Sequence, residues 1–260
     1  MSAILHLQGL RVGFGDAPDV LAGFDLTVQP GEFVTLIGPS GCGKSTVLNV
    51  TAGLLTPRAG DAEFAGESIT GVNTGVGYMT QEDTLLPWRT VVDNVAMPLR
   101  MRQVDRREID QRVAQYLELL DLADAGRKFP AQLSGGMKRR ALLARSMIYR
   151  PELLLMDEPF AALDAQLRTQ MHVELRRTIR ELGQTVLFVT HDIDEAALLS
   201  DRVIVLGGGP PASTVTEVAI SFGPDRDVEE LKFTDEFGRT ERELHRALQQ
   251  ARVDDTKAAS

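Results

Sequence analysis

The chain has 260 residues, enough for one large domain or two small ones with a substantial core. Apolar residues make up 43% and charged residues 25%, which excludes a wholly disordered, collagenous or disulfide-built chain. The net charge of −9, from 28 basic and 37 acidic residues, argues against a broad nucleic-acid-binding surface, though a local basic patch stays open. A single cysteine, Cys42, allows no intrachain disulfide and fits a reducing compartment. No run approaches the 18 or so apolar residues that span a bilayer, and Met1–His6 lacks the basic and apolar regions of a secretory signal. The sequence therefore predicts a soluble, cytosolic protein whose membrane role, if any, comes through a partner.

In chain order, Ile4, Leu7 and Leu10–Phe14 read as strand, followed by a Gly/Asp/Pro loop over 15–18 and a partly alternating Val20–Val28 that ends at Pro30-Gly31. Phe33–Ile37 is a dense apolar run of the kind a buried parallel strand has. A glycine-rich loop and a helix over about Ser45–Ala52 follow, with Gly53 as C-cap. Residues 55–80, short apolar runs between glycines, predict hairpins or irregular β structure. From about Thr90 to Leu122 the pattern is helical, with Val113, Tyr116, Leu117 and Leu120 at three- and four-residue spacing. A helix over 134–149, a strand at Leu153–Met156, a polar helix over 165–182, a strand at Thr185–Thr190, a helix over 193–199 and a strand at Arg202–Leu206 come next. Gly207-Gly208-Gly209-Pro210-Pro211 reads as a turn between antiparallel strands. Residues 221–260 hold 10 acidic and 7 basic residues, with an amphipathic helix near 228–250 and a frayed end. The alternation predicts an α/β fold with a mostly parallel sheet, a main unit over 1–220, a helical subdomain inserted at about 84–150, and a polar C-terminal segment over 221–260.

Three segments carry chemistry. Gly38-Pro39-Ser40-Gly41-Cys42-Gly43-Lys44-Ser45-Thr46 fits G-x-x-x-x-G-K-S/T between a strand and a helix. Glycines let backbone N–H groups converge on phosphate oxygens, and the helix N-terminus adds a favourable dipole. Lys44 is placed to reach the β- and γ-phosphates and the Ser45 hydroxyl to ligate Mg²⁺, with Cys42 a small filler. Asp157 and Glu158 end a buried strand, where ligands of parallel sheets bind; Asp157 is expected to hold Mg²⁺ through water and Glu158 to act as general base. Ser134-Gly135-Gly136 opens a helix and makes a second anion site, far in sequence from the first.

Through these segments the chain strongly resembles the ATP-binding subunits of ABC transporters over about residues 4–220. Residues 38–46 match Walker A, Gln81 the Q-loop glutamine, 133–137 the signature, 153–158 Walker B, Ala162-Leu163-Asp164 the D-loop, and His191 the switch histidine. Phe14 matches the aromatic that stacks on adenine. The signature usually ends in glutamine, where this chain has Met137; the phosphate-contacting serine and glycines are intact. Met137 and the segment from Gln81 to Val91 resemble the nitrate/sulfonate/taurine importer branch.

The resemblance implies a P-loop NTPase fold with an antiparallel β subdomain and an inserted helical subdomain. It also implies ATP and Mg²⁺, the metal held by Ser45, Gln81 and Asp157. Lys44, Glu158, His191 and Gln81 would carry catalysis. Ser134, Gly135 and Gly136 would contact the ATP of a second subunit, beside the D-loop Asp164. The expected partners are a second ATPase subunit, most simply a copy of this chain, and integral permease subunits, with a periplasmic or extracellular solute-binding protein indirectly; no nucleic acid is expected. The expected function is the ATPase of an importer for a small, anionic solute of sulfonate, taurine or nitrate type, at the cytoplasmic face of the membrane; related branches handling pyrimidine or thiamine precursors, or aromatic acids, stay open because the ATPase does not touch the solute. The alternatives are a non-transport ABC ATPase, such as an assembly scaffold or a nucleic-acid-related factor, and a nucleotide-binding regulator without turnover. Two side features stay open: Trp88 reads equally as subdomain core or as a permease anchor, and Arg100, Arg102, Arg106 and Arg107 read as a solvated face rather than a headgroup contact.

Overall fold

The computed structural model describes residues 2–258 apart from 83, 162, 208–210 and 224–225. Strands β1 (Leu5–Gly13) and β2 (Asp19–Val28) are longer than the sequence pattern suggested and pair antiparallel, Leu5 opposite Val28 and Val12 opposite Leu21. β3 (Phe33–Ile37) is buried at every residue. Helix α1 (Lys44–Thr51) follows the glycine loop and closes at Gly53, which takes φ 67° and donates its N–H to the Val50 carbonyl at 2.9 Å. β4 (Ala59–Phe64) pairs with β1 and with the two-residue β5 (Glu67–Ser68), completing a four-stranded antiparallel sheet in the order β2-β1-β4-β5.

β6 (Val76–Met79) departs from the hairpin expectation: it is a parallel strand of the central sheet, paired with the later strand that starts at Leu153. Its pattern is muted because it is short and carries Gly77, where a Cβ would lie 2.4 Å from the Ser146 carbonyl oxygen of the helix packed over it. The stretch expected to be helical over 90–122 holds two helices. α2 (Val91–Met101) is capped by Thr90 and contains Pro98; the chain then turns at Gln103, φ 56°, and α3 (Arg106–Leu119) restarts with Asp105 accepting from the Arg107 N–H at 2.9 Å. No glycine or proline lies between Leu99 and Leu119, so the sequence carries no breaker that marks this break.

Short 3₁₀ turns at Ala123–Ala125 and Pro130–Gln132 lead to α4 (Gly135–Met147), β7 (Leu153–Asp157), α5 (Ala165–Leu182), β8 (Thr185–Val189), α6 (Ile193–Leu199), β9 (Arg202–Gly207), β10 (Ser213–Ala219), α7 (Val228–Leu231) and α8 (Asp235–Ala258). The central sheet has the order β10-β9-β3-β8-β7-β6, with β10 alone antiparallel. The strands on either side of 207–211 are antiparallel, as expected; residues 208–210 of the expected turn lie outside the described residues.

Alternating side chains of the sheet feed two separate cores. Val34, Leu36, Leu155, Leu187 and Ile204 face α1 and the antiparallel sheet. Phe33, Leu154, Met156, Val186, Phe188 and Val203 face α2–α6 and α8. The last helix joins that second core through Phe237, Leu244 and Ala251, seven residues apart, and packs on α6 and β9. Arg226 ties the segment before it down, donating to Asp201 at 2.7 Å and to the Ser200 carbonyl at 2.6 Å; burial lowers its pKa to about 10. Among the described residues no helix is long and apolar enough to cross a membrane.

Candidate functional site

Because β3, β6, β7 and β8 are parallel, the segments that follow them emerge at one edge of the sheet. These are the glycine loop, Gln81, Asp157-Glu158 and His191. The loop's shape needs its glycines. A Cβ on Gly38 would lie 2.6 Å from the Leu206 carbonyl oxygen, and Gly41 and Gly43 take φ 83° and 93°. Gly43 stands at the N-cap of α1 and supplies no side-chain cap. Pro39 is half-buried, Ser40 and Ser45 are exposed, and Cys42 and Thr46 are buried. Lys44 is only 6% exposed, and its Nζ donates to the Gly38 and Pro39 carbonyls, each at 2.9 Å. The ammonium is thus held inside the loop's own curve.

Asp157 lies beside this loop. Burial pushes its carboxyl pKa up, the Ser45 hydroxyl pulls it down by hydrogen bonding, the Glu158 charge raises it, and Lys44 lowers it. Hydroxyl and carboxylate oxygens at one place are hard donors of the kind Mg²⁺ takes, so Ser45 and Asp157 fit that ion. Tyr78, on the neighbouring β6, donates to Asn49 Oδ1 at 3.1 Å; burial first and the Asp157 charge second push its hydroxyl pKa up.

Glu158 takes φ 43°, a left-handed conformation that costs a non-glycine residue about 1–2 kcal/mol. Its N–H still bonds the Val189 carbonyl at 2.9 Å, so the turn out of β7 is fixed against β8. The side chain then meets both expected partners. Its Oε2 accepts from Gln81 Nε2 at 3.4 Å and lies 3.2 Å from His191 Nδ1. His191 is 61% exposed and free to meet a ligand.

Behind His191 is a buried network. Thr190 Oγ1 donates to Glu195 Oε2 at 2.6 Å and accepts from the Asp192 N–H at 3.0 Å, while Glu195 Oε1 lies 3.3 Å from His172 Nε2. Arg168 on α5 links this loop to the one carrying Asp164. It donates to Asp192 Oδ2 at 3.2 Å and to the Leu163 carbonyl at 3.0 Å. Asp164 itself caps α5, accepting from the Leu167 N–H at 3.0 Å. Ala162, its expected neighbour in function, lies outside the described residues.

Ser134 caps α4, its Oγ accepting from the Met137 N–H at 3.3 Å. Gly135 is exposed and Gly136 buried; a Cβ on Gly136 would lie 2.6 Å from Leu167 Cδ1, and one on Gly135 3.8 Å from Leu163. Glycines here let the start of α4 lie directly on the start of α5, so Ser134–Gly136 and Asp164 share one patch. That patch belongs to the second core, across the sheet from α1. Phe14, 54% exposed, follows β1 in a loop gathered around Arg58, which donates to Ala17 O at 3.1 Å and Asp19 Oδ1 at 2.7 Å. Arg11 and Arg58 together hold the Asp19 carboxyl below its usual pKa, Arg11 acting most strongly.

Trp88 is 71% exposed, which removes the subdomain-core reading. Arg100 bonds Asp93 at 2.9 Å, while Arg102 donates to the Thr74 carbonyl and stacks over Tyr149, so both are used within the chain. Sequence reasoning missed Arg139, Arg145 and Arg168, which reach Gln81, Thr84 and Asp192 across 58, 61 and 24 residues.

A family model described as ABC transporter matches residues 21–161. The chain is 42% identical over 229 residues to the nitrate import ATP-binding protein NrtC of Synechococcus elongatus, covering 87% of this chain and 35% of that one. It is 44% identical over 212 residues to the spermidine/putrescine import ATP-binding protein PotA of Escherichia coli, covering 80% of this chain and 56% of that one. The chain thus spans between a third and just over half of these relatives' length. Among solved structures, a dimeric ATP-binding cassette in a post-hydrolysis state with ADP and Pi superposes with a TM-score of 0.71 at 28% identity, covering 83% of this chain and 98% of that one. The cbiO1 subunit of a Clostridium perfringens ABC transporter complex superposes with a TM-score of 0.78 at 24% identity, covering 94% and 100%, and supports the fold alone.

Proposed function

The chain belongs to the ABC transporter family, and from that premise we propose that it is the ATP-hydrolysing subunit of an importer, driving a small solute through a membrane permease. The observation that carries this reading is the meeting of Gln81, Glu158 and His191 beside the Lys44 loop at one edge of the sheet. Glu158 would polarise the attacking water and His191 would contact the γ-phosphate. Lys44 would exchange its loop carbonyls for phosphate oxygens. Mg²⁺, held by Ser45 and Asp157 with Gln81, supplies charge neutralisation at the phosphates when bound.

Ser134, Gly135 and Gly136 sit across the sheet from their own α1, so they would serve the nucleotide of a second copy. Two such sites would form in a C₂ dimer. The helical unit would meet the permease at the cytoplasmic face of the membrane. Exposed Trp88 supports this, as does an open hollow of about 580 Å³ lined by Val92, Val113, Ala114, Leu117, Ala123 and Arg127.

The anionic solute expected from Met137 and the Gln81–Val91 segment loses its support. Relatives of equal similarity carry the names of nitrate and of spermidine/putrescine importers, an anion and two polycations. An ATPase that does not touch the solute has no residue that must match its charge.

Glu158→Gln tests the reading. The variant should bind ATP, lose at least about 100-fold in turnover, and accumulate as an ATP-bound dimer in size-exclusion chromatography. Turnover at the wild-type rate would remove Glu158 as the general base.

A further inference from the structure

Arg139 lies on α4 five residues beyond Ser134 and is 7% exposed. Its Nη2 donates to the Gln81 carbonyl oxygen at 2.7 Å. Six residues further along the same helix, Arg145 Nη1 donates to the Thr84 carbonyl oxygen at 2.7 Å. The segment that leaves β6 is therefore held along α4 at both ends. Charge-assisted bonds of this length are short and strong, and the Arg139 bond is largely shielded from water. Gln81 is tied in two directions, its backbone to the helix that begins at Ser134 and its side chain to Glu158 on the central sheet.

We propose that Arg139 is a positioning residue that makes the placement of Gln81 and of Ser134 one variable. When Gln81 shifts with the occupancy of its own site, Arg139 carries the shift into α4. The serine offered to the second copy then moves with it. This rests on the ATPase reading above. A guanidinium that merely fills space between α4 and β6 would affect stability and every nucleotide property together. A coupling role affects turnover and dimer closure while leaving the phosphate loop's own affinity intact.

The test uses the full chain as wild type, Arg139→Met and Arg139→Lys. It measures kcat and KM for ATP, equilibrium binding of a fluorescent ATP analogue, and Tm. Arg139→Met should bind the analogue within about two-fold of wild type and lose about ten-fold in kcat, the scale of a sub-ångström misplacement. Arg139→Lys, which keeps a cationic donor, should regain most of that loss. In a Glu158→Gln background, Arg139→Met should need about ten-fold more ATP to dimerise. Unchanged kcat in Arg139→Met overturns the proposal, as does a kcat loss matched by the analogue's affinity and not recovered by lysine. If Arg139→Met does not fold, Arg139→Gln, which retains an amide donor, takes its place under the same criteria. A wild-type chain that hydrolyses no ATP defeats the ATPase reading and this inference with it. An active wild type with an unaffected variant defeats this inference alone.

Discussion

At Gly53 the chain leaves α1 with φ 67°, and a Cβ there would lie 1.7 Å from the Gly71 carbonyl oxygen. A left-handed alanine and a backbone clash act together, so Gly53→Ala should cost about 3 kcal/mol. In a thermal melt that is a fall in Tm of about 6–12 °C for a chain of this size. A fall under about 2 °C would show that the 71–73 loop yields freely. Glu158 shows the opposite arrangement, a large side chain in the left-handed region, from which its oxygen meets Gln81 and His191. Asp157 is likewise held against its own preference, since burial disfavours its charge. A divalent cation beside it would reverse that direction.

Helix α2 illustrates what a short stretch of sequence encodes. Thr90 caps it, and Asp93 in its first turn accepts from the Thr90 hydroxyl at 2.8 Å and from Arg100 at 2.9 Å. The Thr90 bond first and Arg100 second lower the Asp93 pKa. A carboxyl with a lowered folded pKa stabilises the fold fully above its unfolded value of about 3.9 and ceases to do so as pH falls through the folded one. Asp93→Asn should therefore melt slightly below wild type at pH 7, by less than about 1 kcal/mol because the pair is partly solvated. The gap should close as the pH is taken well below 4. A gap of equal size at both ends of that range would place the effect elsewhere.

The same locality decides what could be read in advance. The buried runs of β3, β7 and β8, the glycine loop before Lys44, and the Ser-Gly-Gly start of α4 are patterns within a few residues, and all were legible; the capping roles of Ser134 and Asp164 emerge only from the structure. β6 was not, because Gly77 breaks its apolar run to admit α4. The break at Gln103 was not, because no glycine or proline lies between Leu99 and Leu119 to mark it. Arg139 and Arg168 were invisible for a different reason: each acquires a role only when the fold brings a carbonyl or carboxylate from 24 or 58 residues away to its guanidinium. Trp88 shows that residue type alone does not decide burial.

At the scale of the molecule, the sheet divides the proposed machinery. The phosphate loop and α1 belong to one core, the starts of α4 and α5 to the other. If each site is shared between two copies, two dead chains can repair one another. Mixed one to one, Ser134→Arg and Glu158→Gln chains should recover turnover that neither has alone, up to about a quarter of wild type, because at most half of the dimers are mixed and each has one intact site of two, while trapping of Glu158→Gln homodimers lowers that share. A mixture as inactive as its components would mean that the sites are not shared. The division into two cores also bears on descent. Among the described residues the buried side chains around α2–α4 and those around α1 form separate clusters, so on the proposed reading the helical face would drift to suit a new membrane partner while the phosphate-loop face stays as it is. On that reading one ATPase unit would suit the different cargoes named for its relatives, nitrate and spermidine/putrescine, with the change of cargo written elsewhere in the genome.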